Sequence, residues 1–217
     1  MLEQLKETVC KENKALPKNG LVLWTSGNVS AKDPETEYVV IKPSGIHFDD
    51  LTPDDMIVVD LAGTVIEGRF SPSVDTESHL YVYNHCPQVY GITHTHSPYA
   101  TAFSIAGESL PIYTTTSAAV FGKTIPLSKI AAVGEKAIGA EIVRCYQETN
   151  CPAILLKNHG VFTVGKSATH SLKNAVILEE TAQSVFYARS LNPELQPLDD
   201  EYISEVFDFY QNNYGQK

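Results

Sequence analysis

Apolar positions along the 217-residue chain change period several times, and each change predicts an element. Leu2, Leu5, Val9 and Leu16 recur at helical spacing up to Pro17, and Lys18-Asn19-Gly20 supplies a stop. The period then shortens. Tyr38-Val39-Val40-Ile41 and Met56-Ile57-Val58-Val59-Asp60-Leu61 are β-rich runs, and Thr64-Val65-Ile66-Glu67 returns across Ala62-Gly63 as the second arm of a hairpin. Leu80, Val82 and Tyr83 share a helical face between Asp75 and His85, and residues 90–95 read as a strand. Ser97-Pro98 opens a short helix to Ala106, with the serine as N-cap and the proline where a missing N–H costs nothing. A helix over 134–148 follows the break at Pro126. Two apolar runs, 153–156 and 161–164, flank a polar apex at Lys157-Asn158-His159-Gly160. Residues 167–191 predict a long helix with Ala175, Leu178, Ala182, Val185 and Phe186 on its buried stripe, and Ile203, Val206, Phe207 and Tyr210 a final one.

Strands and helices interleave with no repeat, low-complexity tract or linker, so one α/β domain over residues 1–217 is expected. Composition adds exclusions. With 16 Lys+Arg against 26 Asp+Glu the formal charge is −10, which argues against a general affinity for nucleic acid or anionic lipid. No apolar run approaches the ~20 residues of a membrane span, and the first residues lack a signal-peptide core, so a soluble cytoplasmic protein is expected. Cys10, Cys86, Cys145 and Cys151 form no CxxC pair and read as reduced, buried thiols.

The chemistry concentrates on histidine. In Thr93-His94-Thr95-His96-Ser97-Pro98 the two imidazoles are two positions apart, so on a strand they share a face and can converge on one ion. His159, at the Asn158-His159-Gly160 apex, makes a third candidate ligand. Three neutral imidazoles with an open position are the ligand set of a catalytic zinc, and Mn²⁺ or Co²⁺ fits the same set. Such a metal acts as a Lewis acid on a substrate carbonyl, and a base must accompany it. Asp75 and Glu77 stand near at a helix start, where Asp75 reads either as a cap or as that base, and His79 as an orienting or buried partner. Ser26-Gly27-Asn28-Val29-Ser30 and Lys42-Pro43-Ser44-Gly45 have the composition of anion-binding turns. With Ser73 they offer neutral donors and one fixed charge, suited to a phosphorylated small substrate.

SGNVS at 26–30, KPSG at 42–45, the PS–D segment at 72–75, HTH at 94–96 and NHG at 158–160 together resemble the class II aldolase/adducin family over nearly the whole chain. The resemblance implies a three-layer α/β/α fold with a mostly antiparallel central sheet, in a homotetramer whose active sites lie between subunits. It implies metal ligation by His94, His96 and His159, with Asp75 at the catalytic acid's position. Gly27, Asn28, Lys42, Ser44, Gly45 and Ser73 match phosphate-binding positions, and Tyr214 a tyrosine that reaches a neighbour's site. The family includes aldolases and a sugar-phosphate 4-epimerase. Ala119 stands where the epimerase pattern has an aspartate, and Val74 where both enzymes have a serine. Because an alanine transfers no proton, the first expectation is an aldolase cleaving a phosphorylated ketose to dihydroxyacetone phosphate and a small aldehyde. The alternative is L-ribulose-5-phosphate 4-epimerase. A metal-assisted decarboxylase and a non-enzymatic interaction module are further readings.

Overall fold

β-Branched residues build a seven-stranded sheet in the computed structural model, which describes residues 2–133 and 136–213. The strands are β1 Asn28–Lys32, β2 Val39–Ile41, β3 Ile57–Val59, β4 Val65–Glu67, β5 Gly91–Thr95, β6 Ala153–Leu156 and β7 Gly160–Gly165. They lie in the order β4-β3-β2-β1-β5-β7-β6, with every neighbouring pair antiparallel. Around them run α1 Glu3–Lys18, α2 Thr76–His85, α3 Pro98–Ala106, α4 Thr115–Phe121, α5 Lys136–Thr149, α6 Ala168–Leu191 and α7 Asp200–Asn213.

Both faces of the sheet are covered. On one face Leu80, Val82 and Tyr83 of α2 and Ile138 and Ile142 of α5 pack on Ile41, Ile57, Ile92, Ile154 and Val164. On the other, α1 and the start of α6 cover Val29, Val40 and Val58, while α3, α4, α7 and the rest of α6 cover Leu155 and Val161. This is the three-layer α/β/α arrangement expected. Each fully buried Val, Leu or Ile contributes about 1.5–3 kcal/mol relative to exposure, so apolar burial dominates the fold's stabilisation.

Four sequence expectations need correction. Asn28-Val29-Ser30-Ala31-Lys32 is the central strand β1, not a loop, and its polar alternate positions are buried because they meet polar partners on α2. α4 forms over Thr115–Phe121, where no helix was expected, started by the Thr114 hydroxyl accepting from the Ser117 N–H. Phe186 leaves the buried stripe of α6 and is half exposed. Ser97 sits at the N-cap of α3 but makes no capping bond, and the Tyr99 and Ala100 N–H groups donate to the Glu179 carboxylate from α6. The helix expected from residue 134 begins, within the described residues, at Lys136; positions 134 and 135 lie outside them.

Candidate active site

β5 lies between β1 and β7, and its register sets His94 opposite Asn28 on one side and Phe162 on the other. His94 is therefore buried. Its Nδ1 donates to the Val161 carbonyl at 2.9 Å and its ring stacks on Phe162, with centroids 4.5 Å apart, which fixes the tautomer and leaves the Nε2 lone pair free. β5 ends at Thr95, so His96 stands one residue beyond the strand, yet its Nε2 comes to 3.1 Å from His94 Nε2. His159 completes the group from the β6–β7 turn, where Asn158 takes φ 57°. One ligand nitrogen from each of the three rings lies within 4.8 Å of the others. Gly160 is part of this geometry, because a Cβ there would meet the Thr95 carbonyl at 2.5 Å and His96 Cδ2 at 2.8 Å.

Electrostatics keep these rings neutral. Burial, reinforced by the neighbouring His96 and His159, pushes His94 down to about 3 against the opposing pull of Asp75. Burial likewise lowers His96 and His159. Neutral imidazoles with converging lone pairs are the protonation state a divalent metal requires, so the donor set fits one.

Asp75 occupies the N-cap position of α2 without making a cap bond. Its Oδ2 accepts instead from Asn28 Nδ2 at 2.6 Å and from Ser73 Oγ at 3.4 Å. Burial alone would raise its pKa; attraction to His94 and His79 and the Asn28 bond outweigh that and hold it below the ordinary carboxylate value. Asn28 Oδ1 is buried and makes no hydrogen bond among the described residues. Glu77 is exposed.

The three polar loops are tied to one another. Ser44 N–H donates to the Ser71 carbonyl, Ser73 N–H to the Lys42 carbonyl, and Asn28 Nδ2 to Ser73 Oγ. Gly27 takes φ 79° where a Cβ would strike the His94 carbonyl, and Gly45 takes φ 69° with open space around it. Lys42 is 2% exposed, and burial, opposed by Asp75, pushes its ammonium down to about 8. Among the described residues its Nζ reaches only the carbonyls of Thr25 and Pro43, at 3.4 and 3.2 Å, and the Phe48 ring. One buried cation thus stands among loops rich in neutral donors, which is the electrostatic profile of an anion site.

Behind the histidines runs a buried polar column. His79 Nδ1 lies 2.7 Å from Ser30 Oγ, which lies 2.8 Å from Tyr83 Oη. With one proton on each group, the arrangement that uses both hydroxyl protons has Tyr83 donating to Ser30 and Ser30 to His79 Nδ1, so Nε2 carries the ring proton. Burial takes His79 down to about 4, opposed by Asp75. The i,i+4 spacing of Asp75 and His79 hints at this partnership; in the sequence Ser30 stands out only within its motif and Tyr83 only as an apolar helix position, and neither as a partner of His79. Ala119 is buried in α4, its carbonyl accepting from Gln211 Nε2 of α7 at 3.3 Å. Tyr214 lies outside the described residues.

Residues 7–186 match the family described as Class II Aldolase and Adducin N-terminal domain. The chain belongs to that family. Within the class II aldolase family, it is 42% identical to L-ribulose-5-phosphate 4-epimerase UlaF of Salmonella paratyphi B, over 95% of this chain and 94% of that protein. UlaF of Salmonella typhi is also 42% identical over the same shares. Among solved structures, an L-fuculose 1-phosphate aldolase superposes with a TM-score of 0.90 at 28% identity, over 96% of each chain. L-fuculose 1-phosphate aldolase from Glaciozyma antarctica PI12 gives a TM-score of 0.81 at 26% identity, over 95% of this chain and 81% of that one. The aldolase expectation is corrected by this ranking: the aldolases share the fold at 26–28% identity, whereas the 42% relatives are named epimerases. Ala119 is one absent proton donor, outweighed by 42% identity along 95% of the chain. Among the described residues no helix is long and apolar enough to cross a membrane.

Proposed function

We propose that the chain is an L-ribulose-5-phosphate 4-epimerase, and the observation that carries this reading is 42% identity along 95% of its length to proteins of that name. His94, His96 and His159 hold the metal, zinc in this reading, with Mn²⁺ or Co²⁺ compatible with the same ligands. When bound, the metal contributes Lewis-acid polarisation of the substrate's carbonyl and neighbouring hydroxyl. The buried Lys42 ammonium, with Gly27, Asn28, Ser44, Gly45 and Ser73 around it, holds the phosphate and so orients C4.

Inverting C4 without redox chemistry calls for breaking and remaking the C3–C4 bond. Asp75, oriented by Asn28, takes the proton of the C4 hydroxyl. The C3–C4 electron pair then moves onto the three-carbon fragment as an enediolate, leaving glycolaldehyde phosphate held by the loops. Rotation of the aldehyde and re-addition to its other face restores the bond, an acid on that side gives a proton to the new C4 oxygen, and exchange with solvent after release takes the proton from Asp75 and restores that acid. We assign this second role to Tyr214 of a neighbouring subunit in a homotetramer, since Ala119 has no proton to give. Water must be kept from the cleaved pair, which favours a site closed by a second chain.

Purified, zinc-loaded protein incubated with L-ribulose 5-phosphate and followed by NMR tests the reading. The C4 epimer, xylulose 5-phosphate, is expected to accumulate without free glycolaldehyde phosphate, and His96→Ala is expected to abolish it. No conversion by the wild-type protein, or release of the aldehyde in place of the epimer, would refute it.

A further inference from the structure

Of the three histidines, only His94 is held by a side-chain hydrogen bond to a residue outside the group, among the described residues. His94 is fixed by Val161 and Phe162, whereas His96 is exposed and its ring meets only those of His94 and His159 among the described residues, its Nε2 3.1 Å from that of His94. Its direction is set by backbone, between the end of β5 at Thr95 and the start of α3 at Pro98. Pro98 has no N–H, and the next two donors of the helix, Tyr99 N and Ala100 N, both go to Glu179, at 2.9 Å to Oε1 and 2.9 Å to Oε2. A local cap would have needed only the hydroxyl of Ser97, which is fully buried and within 3.4 Å of Thr95 Oγ1 instead. The carboxylate comes from α6, 79 residues or more along the chain. Two turns later on the same helix, Tyr187 Oη meets Tyr99 Oη at 2.8 Å, a second tie on the same first turn of α3.

We propose that Glu179 is a positioning residue for the metal centre. By locking the first turn of α3 onto α6 it fixes the segment that carries His96 and presses that ring against Gly160, where no Cβ fits. The inference rests on the reading of His94, His96 and His159 as metal ligands.

The test measures Co²⁺ binding rather than turnover, by competition with a chromophoric chelator and by the visible d–d spectrum. It compares wild type, Glu179→Ala, Glu179→Gln and Ser167→Ala. Ser167 caps α6 through its hydroxyl, which accepts from the His170 N–H, so its variant loses a helix cap and no hydrogen bond to the first turn of α3. Glu179→Ala and Ser167→Ala are both expected to lower the melting temperature of the metal-free protein. Only Glu179→Ala is expected to weaken Co²⁺ binding, by about ten- to a hundredfold, and to alter the spectrum, the effect typical of removing a support behind a metal ligand. Glu179→Gln keeps one acceptor oxygen and should fall between. Wild-type affinity and spectrum in Glu179→Ala would overturn the proposal and leave Glu179 a cap only. If that variant does not fold, Glu179→Gln decides alone, weaker binding supporting the proposal and unchanged binding overturning it. A wild-type protein that binds no Co²⁺ removes the metal reading itself, and the proposal with it.

Discussion

Histidines 79 and 94 are buried neutral, and that has a measurable consequence in acid. Their folded-state values, about 4 and about 3, lie below the ordinary histidine value, so the unfolded chain takes up protons first as pH falls. Stability of the metal-free protein is therefore whole at neutral pH and drains away from about pH 6.5 toward the folded-state values. For His79 alone the loss between pH 7 and pH 5 is about 2 kcal/mol. Urea titrations of chelator-treated protein at the two pH values should show the midpoint falling; an unchanged midpoint would mean that these rings protonate freely in the fold. A second prediction concerns Gly160. Because a methyl group there strikes both the Thr95 carbonyl and the His96 ring, Gly160→Ala is expected to lower Co²⁺ affinity at least tenfold while the chain still folds, readable by chelator competition and circular dichroism. Both expectations follow from side chains that motif spacing brings to notice. The spacing of His94, His96 and His159 makes them a candidate group, but their depressed basicity arises from burial, which spacing does not reveal.

Strand β1 shows what sequence patterning reads and what it passes over. Val29 and Ala31 face an apolar layer, while Asn28, Ser30 and Lys32 face Asp75, His79 and Tyr83 of the α2 side. An alternation of apolar and polar residues with both faces buried looks like an exposed loop until its polar partners are known. The helices α1, α2, α6 and α7 were legible from apolar residues at helical spacing, and the β6–β7 hairpin from two continuous apolar runs, buried on both faces, around a polar apex. α4 was not, since Thr115-Thr116-Ser117 has weak helical preference and the Thr114 cap and packing against α7 supply what propensity lacks. Phe186 differs in the opposite sense: helical spacing puts it on the buried stripe, but its ring lies against Tyr99 and Tyr187 and stays half exposed. The polar column behind β1 gives this scale its own prediction. Tyr83→Phe removes the donor that Ser30 accepts, and is expected to cost about 1 kcal/mol in denaturant unfolding with no change in Co²⁺ affinity. A drop in Co²⁺ affinity would show that the column supports the metal site as well as the fold.

At the scale of the assembled molecule, the proposed tetramer makes catalysis a property of paired chains. If His96 and Tyr214 of one site come from different subunits, two inactive variants can repair one another. Refolding an equal mixture of His96→Ala and Tyr214→Phe chains should then restore up to about a quarter of wild-type epimerase activity, because random assembly gives that share of sites an intact histidine set beside an intact tyrosine. No recovery would place both residues of a site on one chain, and full activity of Tyr214→Phe by itself would remove the tyrosine from the mechanism. α7 is anchored on α4 through Gln211 and Ala119. The four cysteines distribute themselves differently from the site residues: Cys10 lies in the layer under α1, Cys86 and Cys145 in that under α2 and α5, and Cys151 in that under α3, α4 and α7. All are free and buried, and burial pushes every thiol up, Cys151 to about 12, so none reacts while its layer is closed. Exposed to an alkylating reagent in brief pulses, the chain therefore keeps its own record of opening, and the order in which its sulfurs acquire label is the order in which its layers come apart.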